Sequence, residues 1–104
     1  MRLFLLIVLL QPLGAFAEDY VVIIIKNHKF QPAEITIPAG KKMELIVDNQ
    51  DATPEEFESH ELNREKIIAG NSKARIFIGP LTPGRYPFFG EFNEATAQGV
   101  IIVK

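Results

Sequence analysis

The sequence predicts an all-β protein, a Greek-key β-sandwich of about seven or eight short strands. Apolar residues alternate with polar ones along much of the chain, for example at Ile35 and Ile37 and at Met43, Leu45 and Val47. This period of two is typical of strands with one buried face, and turn signals recur at a spacing of roughly ten residues. No segment has the 3.6-residue period of a helix longer than about one turn.

A leader peptide is predicted before the domain. Arg2 is followed by the apolar run Leu3–Leu10, by helix-breaking residues and then by Ala15–Ala17. A basic start, a short apolar run and small residues at a cleavage site are typical of a secretory signal peptide, and the run is too short to cross a bilayer core of about 30 Å. We therefore predict a signal peptide over residues 1–17, cleaved after Ala17, and a mature domain over residues 18–104 that does not insert into a membrane. The alternatives are a buried N-terminal helix or an uncleaved anchor.

Composition excludes several classes of function. Lys and Arg number 11 against 13 Asp and Glu, so the chain lacks the basic surface that nucleic acid or an anionic membrane requires. Cysteine is absent, which excludes thiol catalysis, zinc–thiolate sites and a copper–thiolate bond. No nucleophile is paired with a histidine and an acid at a recognisable spacing, so we predict that the protein is not an enzyme. The one enzymatic alternative is ferrous oxidase activity, for which a redox metal suffices.

Each predicted strand lies between turn signals. The first is a nearly continuous β-branched run, as expected for a strand buried on both faces or at the centre of a sandwich. A local turn is predicted around Asn63–Lys66, and proline and glycine break the chain at residues 38–40 and 79–84. The predicted strands are, in order, Tyr20–Lys26, Glu34–Ile37, Lys42–Asn49, the segment beginning at Glu55, Lys73–Ile78, Arg85–Phe89 and Gly99–Lys104.

Three stretches resemble the cupredoxin family. Phe30–Gly40 matches the pattern F-x-P-x-x-I-x-I-P-A-G, Val47–Asp51 matches V-x-N-x-D, and Leu81–Phe88 matches L-x-P-G-x-Y-x-F. The resemblance covers nearly all of the mature chain and implies a cupredoxin-like sandwich. In that fold the loop before the Glu55 strand and the loop after Phe89 meet at one end.

The resemblance also identifies the positions of the four usual blue-copper ligands, and none of those ligands is present. Gly90, Asn93 and, approximately, Ala97 stand where the cysteine, the downstream histidine and the methionine are expected, and Glu55 replaces the upstream histidine. A blue-copper centre needs the cysteine thiolate. The sequence therefore excludes a blue-copper electron carrier.

Both loops are similar to a cysteine-free version found in periplasmic cupredoxin-like domains associated with iron and copper handling beside iron permeases. The similar strings are EEFES at residues 55–59, FFGEFN at residues 88–93 and TAQG at residues 96–99. Asn93 stands where that version has histidine. The metal-site residues that this resemblance and the local chemistry indicate are Glu55, Glu56, Glu58, His60, Glu91 and Asn93.

Strand alternation limits which carboxylates can share one metal ion. Glu56 and Glu58 lie on one face and Glu55 with Phe57 on the other, so whether Glu55 or Glu56 faces the site is left open. His60 has the spacing to share the face of Glu58. Carboxylates favour hard ions such as iron and accept Cu²⁺ when an imidazole joins. The simpler interpretation of this acidic run is a solvated strand face.

The function predicted from these residues is that of a periplasmic metal-binding protein. It would hold an iron or copper ion for a membrane iron-uptake permease or a periplasmic partner oxidase, without catalysis of its own. The alternative is a metal-free β-sandwich that acts as a protein-interaction module, with Phe89 or Phe92 in an exposed docking patch.

Overall fold

The computed structural model describes residues 19–104, and the predicted signal peptide lies outside them. Within this range no helix is long and apolar enough to cross a membrane. A single-turn 3-10 helix covers Glu91–Asn93. The strands are β1 Tyr20–Lys26, β2 Lys29–Gln31, β3 Glu34–Ile37, β4 Met43–Asn49, β5 Glu55–Ser59, β6 Arg64–Ile68, β7 Ser72–Ile78, β8 Gly84–Gly90 and β9 Gln98–Val103.

The strands form two sheets, which confirms the predicted all-β sandwich. One sheet has the order β2-β1-β4-β7 and the other the order β3-β9-β8-β5-β6. The pairs β1–β4 and β3–β9 are parallel, and the other pairs are antiparallel.

Residues 19–104 contain nine strands, where about seven or eight were predicted. Arg64–Ile68 is a strand at the edge of the five-stranded sheet, so the local turn predicted at Asn63–Lys66 is wrong beyond its first residue. Only Ile68 of this strand is buried, and an edge strand with so little buried surface shows no alternation of apolar and polar residues.

The core lies between the two sheets and is centred on aromatic rings. Phe30 packs edge-on against Phe88 at a centroid distance of 4.9 Å, and Phe57 stacks on Phe88 at 5.1 Å. Such pairs add about 0.5–1.5 kcal/mol each to the free energy gained by burial. Of the two expectations for β1, burial on both faces is wrong, because Tyr20 and Val22 are 41% and 42% exposed. The other, a central position, fits the structure, because β1 lies between β2 and β4 in its sheet.

A buried asparagine shapes the loop that leads into β5. The Asn49 amide donates to the carbonyl oxygens of Thr53, Ile68 and Ala69 at 2.9–3.3 Å, and its own oxygen accepts from the Asp51 N–H. Because a buried amide must satisfy its polar atoms, this network fixes the path of the loop. The loop therefore reaches Glu55, the first residue of β5, at the end of the sandwich where β8 also ends.

Candidate metal centre

The four positions that hold copper ligands in blue-copper proteins converge at this end of the sandwich. β5 pairs with β8 through Phe57 opposite Gly90, and the Gly90 N–H donates to the Ala97 carbonyl at 2.8 Å. A β-carbon on Gly90 would lie 2.6 Å from Cδ of Glu55 and 2.8 Å from Cβ of Ala97. The loop geometry implied by the resemblance is therefore present.

The Glu55 carboxylate fills the space between these positions. Its side chain is 1% exposed. Oε1 accepts hydrogen bonds from the N–H groups of Glu56 and Phe92, each at 2.9 Å, and Oε2 accepts one from the Asn93 amide at 2.7 Å. A carboxylate can remain buried when donors replace its lost hydration, as these three do.

This donor set does not fit a blue-copper ion. Gly90 has no side chain, Ala97 offers a methyl group, and Glu55 and Asn93 are hydrogen-bonded to each other. A blue-copper centre takes a thiolate and two imidazoles with a weak axial ligand. Of the four residues, only Glu55 and Asn93 have polar side chains, and these two side chains bind each other.

A second group of carboxylates lies on the opposite, outer face of β5. Glu56, Glu58 and Glu65 each present an oxygen within 4.8 Å of the others, and we call them the outer carboxylate cluster. Glu58 pairs with Glu65 across β5 and β6. Phe57 is fully buried, so its neighbours Glu56 and Glu58 point outward and both are half-buried.

Mutual repulsion perturbs the protonation of this cluster. A hydrogen bond to Glu65, partial desolvation and the charges of Glu65, Glu58 and Glu91 together raise the pKa of Glu56 to about 7. Desolvation and the charges of Glu65 and Glu91 also raise the pKa of Glu58, against the opposing effect of His60. Like-charged carboxylates at this distance are satisfied by a proton or by a cation.

The predicted site residues therefore fall into two separate groups. Glu55 and Asn93 belong to the buried end of β5, whereas Glu56 and Glu58 belong to the outer face. Glu91 and His60 lie close enough to act on the pKa of Glu58, and the His60 ring is 5.7 Å from that of Phe89.

Glu65 is the cluster member that sequence reasoning missed. It lies in the segment predicted as a turn, and only the pairing of β5 with β6 places it opposite Glu58. A hairpin register between EEFES and REKII would have revealed it. The polar composition of Arg64–Ile68 gave no such signal.

The fold and the ligand-loop geometry define a cupredoxin-like domain. The family model described as "Cupredoxin-like domain" matches residues 1–103. The chain belongs to this family, which confirms the family resemblance seen in the sequence.

A relative and two solved structures extend this comparison. An uncharacterized protein of Rickettsia prowazekii is 51% identical over 83 residues, which are 80% of this chain and 66% of that protein's length. Auracyanin A, a "blue" copper protein of Chloroflexus aurantiacus, has a TM-score of 0.73 at 15% identity, covering 85% of this chain and 100% of its own.

The second structure is the metal-binding domain of the Cu(I)-exporting P-type ATPase CopA of Streptococcus pneumoniae D39, solved with Cu(I). Its TM-score is 0.69 at 18% identity, covering 82% of this chain and 84% of its own. At these identities the two structures establish the fold alone.

Proposed function

We propose that this protein is a periplasmic metal-binding protein that handles iron or copper at the outer carboxylate cluster. The observation that carries the proposal is the approach of Glu56, Glu58 and Glu65 to within 4.8 Å of one another. The hydrogen bond to Glu65, desolvation and the neighbouring charges raise the pKa of Glu56 to about 7, so the folded chain holds a carboxylate that a divalent cation would stabilise.

The chemistry of the cluster favours a hard or borderline ion. Oxygen donors suit Fe²⁺ and Fe³⁺, and Cu²⁺ becomes competitive when an imidazole is added. His60 supplies that imidazole beside Glu58, and Glu91 adds a further carboxylate. Iron or copper is thus the ion we propose, bound by Glu56, Glu58 and Glu65 with His60 and Glu91 beside them.

The proposed role is to hold the ion for a membrane iron permease or a periplasmic partner oxidase, without catalysis by the chain itself. The leader pattern of residues 1–17 supports export, and the two ligand-loop strings support the link to iron uptake. Intact-mass analysis of protein from the periplasm tests export: the chain should begin at Glu18, and a species retaining Met1 would contradict it.

The metal proposal is tested by calorimetric titration of Fe²⁺ under anaerobic conditions and of Cu²⁺. The variant E56Q/E58Q/E65Q should lose affinity on the order of a hundredfold, about 2.7 kcal/mol. The control E34Q/E61Q/E94Q replaces the same number of carboxyl groups at exposed positions outside the cluster and should bind like the wild type. Equal losses of metal affinity in both variants would mean that the change in net charge alone explains the effect, which would contradict the proposal.

A metal-free interaction module is the second candidate, and exposed apolar residues favour it. Phe92 is 48% exposed and Ile67 58% exposed, and Ile67 pairs with Glu56 across β5 and β6. Elemental analysis of protein taken directly from the periplasm separates the two candidates. Stoichiometric iron or copper supports the first, and metal-free protein whose partner binding is lost in F92A/I67A supports the second.

A further inference from the structure

We infer that Glu55 takes the structural place of the metal ion at the positions that correspond to the blue-copper ligands, and that Gly90 is glycine because Glu55 needs the space. The buried carboxylate joins β5 to the chain that follows β8, so this end of the sandwich is held together without a metal. The inference is independent of the proposed function, because Glu55 lies on the face of β5 opposite the outer carboxylate cluster.

The hydrogen bonds of Glu55 link two separate parts of the chain. One goes to its neighbour Glu56 in β5, and two go to Phe92 and Asn93 in the single-turn helix. The first N–H groups of a helix have no partner within it, and the Phe92 N–H is one of them. The carboxylate satisfies this donor and fixes the position of the helix relative to β5.

Space, and not backbone conformation, requires glycine at position 90. Its backbone is extended, with φ −97° and ψ 113°, which any residue can adopt. A β-carbon there would lie 2.6 Å from both Cδ and Oε2 of Glu55 and 2.8 Å from Cβ of Ala97. A side chain at position 90 therefore requires Ala97 and the Glu55 carboxylate, which three hydrogen bonds hold in place, to shift.

A double-mutant cycle measured by urea unfolding tests this coupling. Gly90→Ala should raise the unfolding equilibrium constant at least tenfold in the wild type. In the Glu55→Ala background, the factor by which Gly90→Ala raises this constant should be at least tenfold smaller. In the Glu55→Gln background its effect should match that in the wild type, because glutamine keeps the shape of glutamate. Gly84→Ala is the matched control, since its β-carbon would meet only Tyr86, at 3.6 Å, and it should change stability little.

Three outcomes of the cycle would overturn the inference. One is additivity of Gly90→Ala and Glu55→Ala within about twofold, as expected for independent sites. The second is coupling to Glu55→Gln as strong as that to Glu55→Ala. The third is that Ala97→Gly, and not Glu55→Ala, reduces the destabilisation caused by Gly90→Ala. That result would assign the steric clash to Ala97.

Amide exchange in the wild-type protein provides a test that needs no variant to fold. In chelator-treated protein the Phe92 N–H should exchange at least tenfold more slowly than in the unfolded chain, and addition of Cu²⁺ should leave this rate unchanged. Exchange at the unfolded-chain rate, or protection that appears only with metal, would contradict the role assigned to Glu55.

Discussion

At the scale of single residues, the charge of Glu56 is the most strongly perturbed. Its pKa is raised from 4.5 to about 7, first by the hydrogen bond to Glu65 and then by desolvation and the surrounding charges. Between these values the folded state holds a proton that the unfolded state has released. Folding stability therefore decreases as the pH rises through this window.

Replacing Glu56 with glutamine should flatten this pH dependence. The variant E56Q keeps the shape of the side chain and removes the charge, so it should be more stable than the wild type above pH 7 and close to it below pH 4.5. Urea unfolding across this pH range measures the effect. Exposed Glu61, replaced in E61Q, is the control, and parallel pH curves for E56Q and the wild type would contradict the pKa shift.

The same residue should determine the pH dependence of the metal binding that we propose. An ion bound by Glu56 displaces its proton, so affinity should fall by about tenfold per pH unit below pH 7. The variant H60A should weaken Cu²⁺ binding yet keep the decline below pH 7 that the proton on Glu56 causes. An affinity that stays constant down to about pH 5, near ordinary carboxyl pKa values, would remove Glu56 from the site.

At the scale of elements, the turn between β1 and β2 has a strained backbone that hydrogen bonds to Asp51 stabilise. Asn27 and His28 have φ values of 54° and 59°, a left-handed conformation that costs an ordinary residue about 1–2 kcal/mol. The Asp51 carboxylate accepts hydrogen bonds from both N–H groups, at 2.8 and 2.9 Å. The bond from His28 is the main cause of the lowered pKa of Asp51.

The substitution His28→Gly should relieve the backbone strain and retain the hydrogen bond from residue 28 to Asp51. His28→Gly creates an Asn-Gly turn, which suits this geometry, and it retains the N–H that Asp51 binds. We expect the free energy of unfolding to rise by about 1 kcal/mol. His28→Ala removes the same exposed imidazole without relieving φ, so it should give no gain, and equal effects of the two variants would contradict the strain argument.

The elements also show which parts of the fold and of the candidate site could be predicted from the sequence. Alternation located the strands whose inward residues are apolar, such as β4 with Met43, Leu45 and Val47 buried. Alternation did not identify β6, because this exposed edge strand buries only Ile68. Glu65, which lies in β6, was therefore missed as well. The pairing of Glu55 with Asn93 depends on how the chain after β8 folds back, and neither period nor composition encodes that geometry.

At the scale of the whole molecule, residues 19–104 offer no exposed sulfur atom to an ion on the outer face. The sequence contains no cysteine, and Met43 is 3% exposed within the core. The Cu²⁺ complex should therefore have a pale spectrum of the carboxylate and imidazole type, without an intense thiolate-to-copper band. Visible absorption of the copper-loaded protein decides this, and an intense blue band would contradict the assignment of ligands.

The pairing of β3 also bears on the timing of folding. Among the strands of residues 19–104, Glu34–Ile37 lies at the edge of its sheet and pairs only with β9, Gln98–Val103. The order of synthesis separates these partners widely, and contacts between distant segments form slowly because a long loop must close first. The five-stranded sheet therefore cannot be completed before β9 has been synthesised, and β3 lacks its partner strand while the residues between them are made.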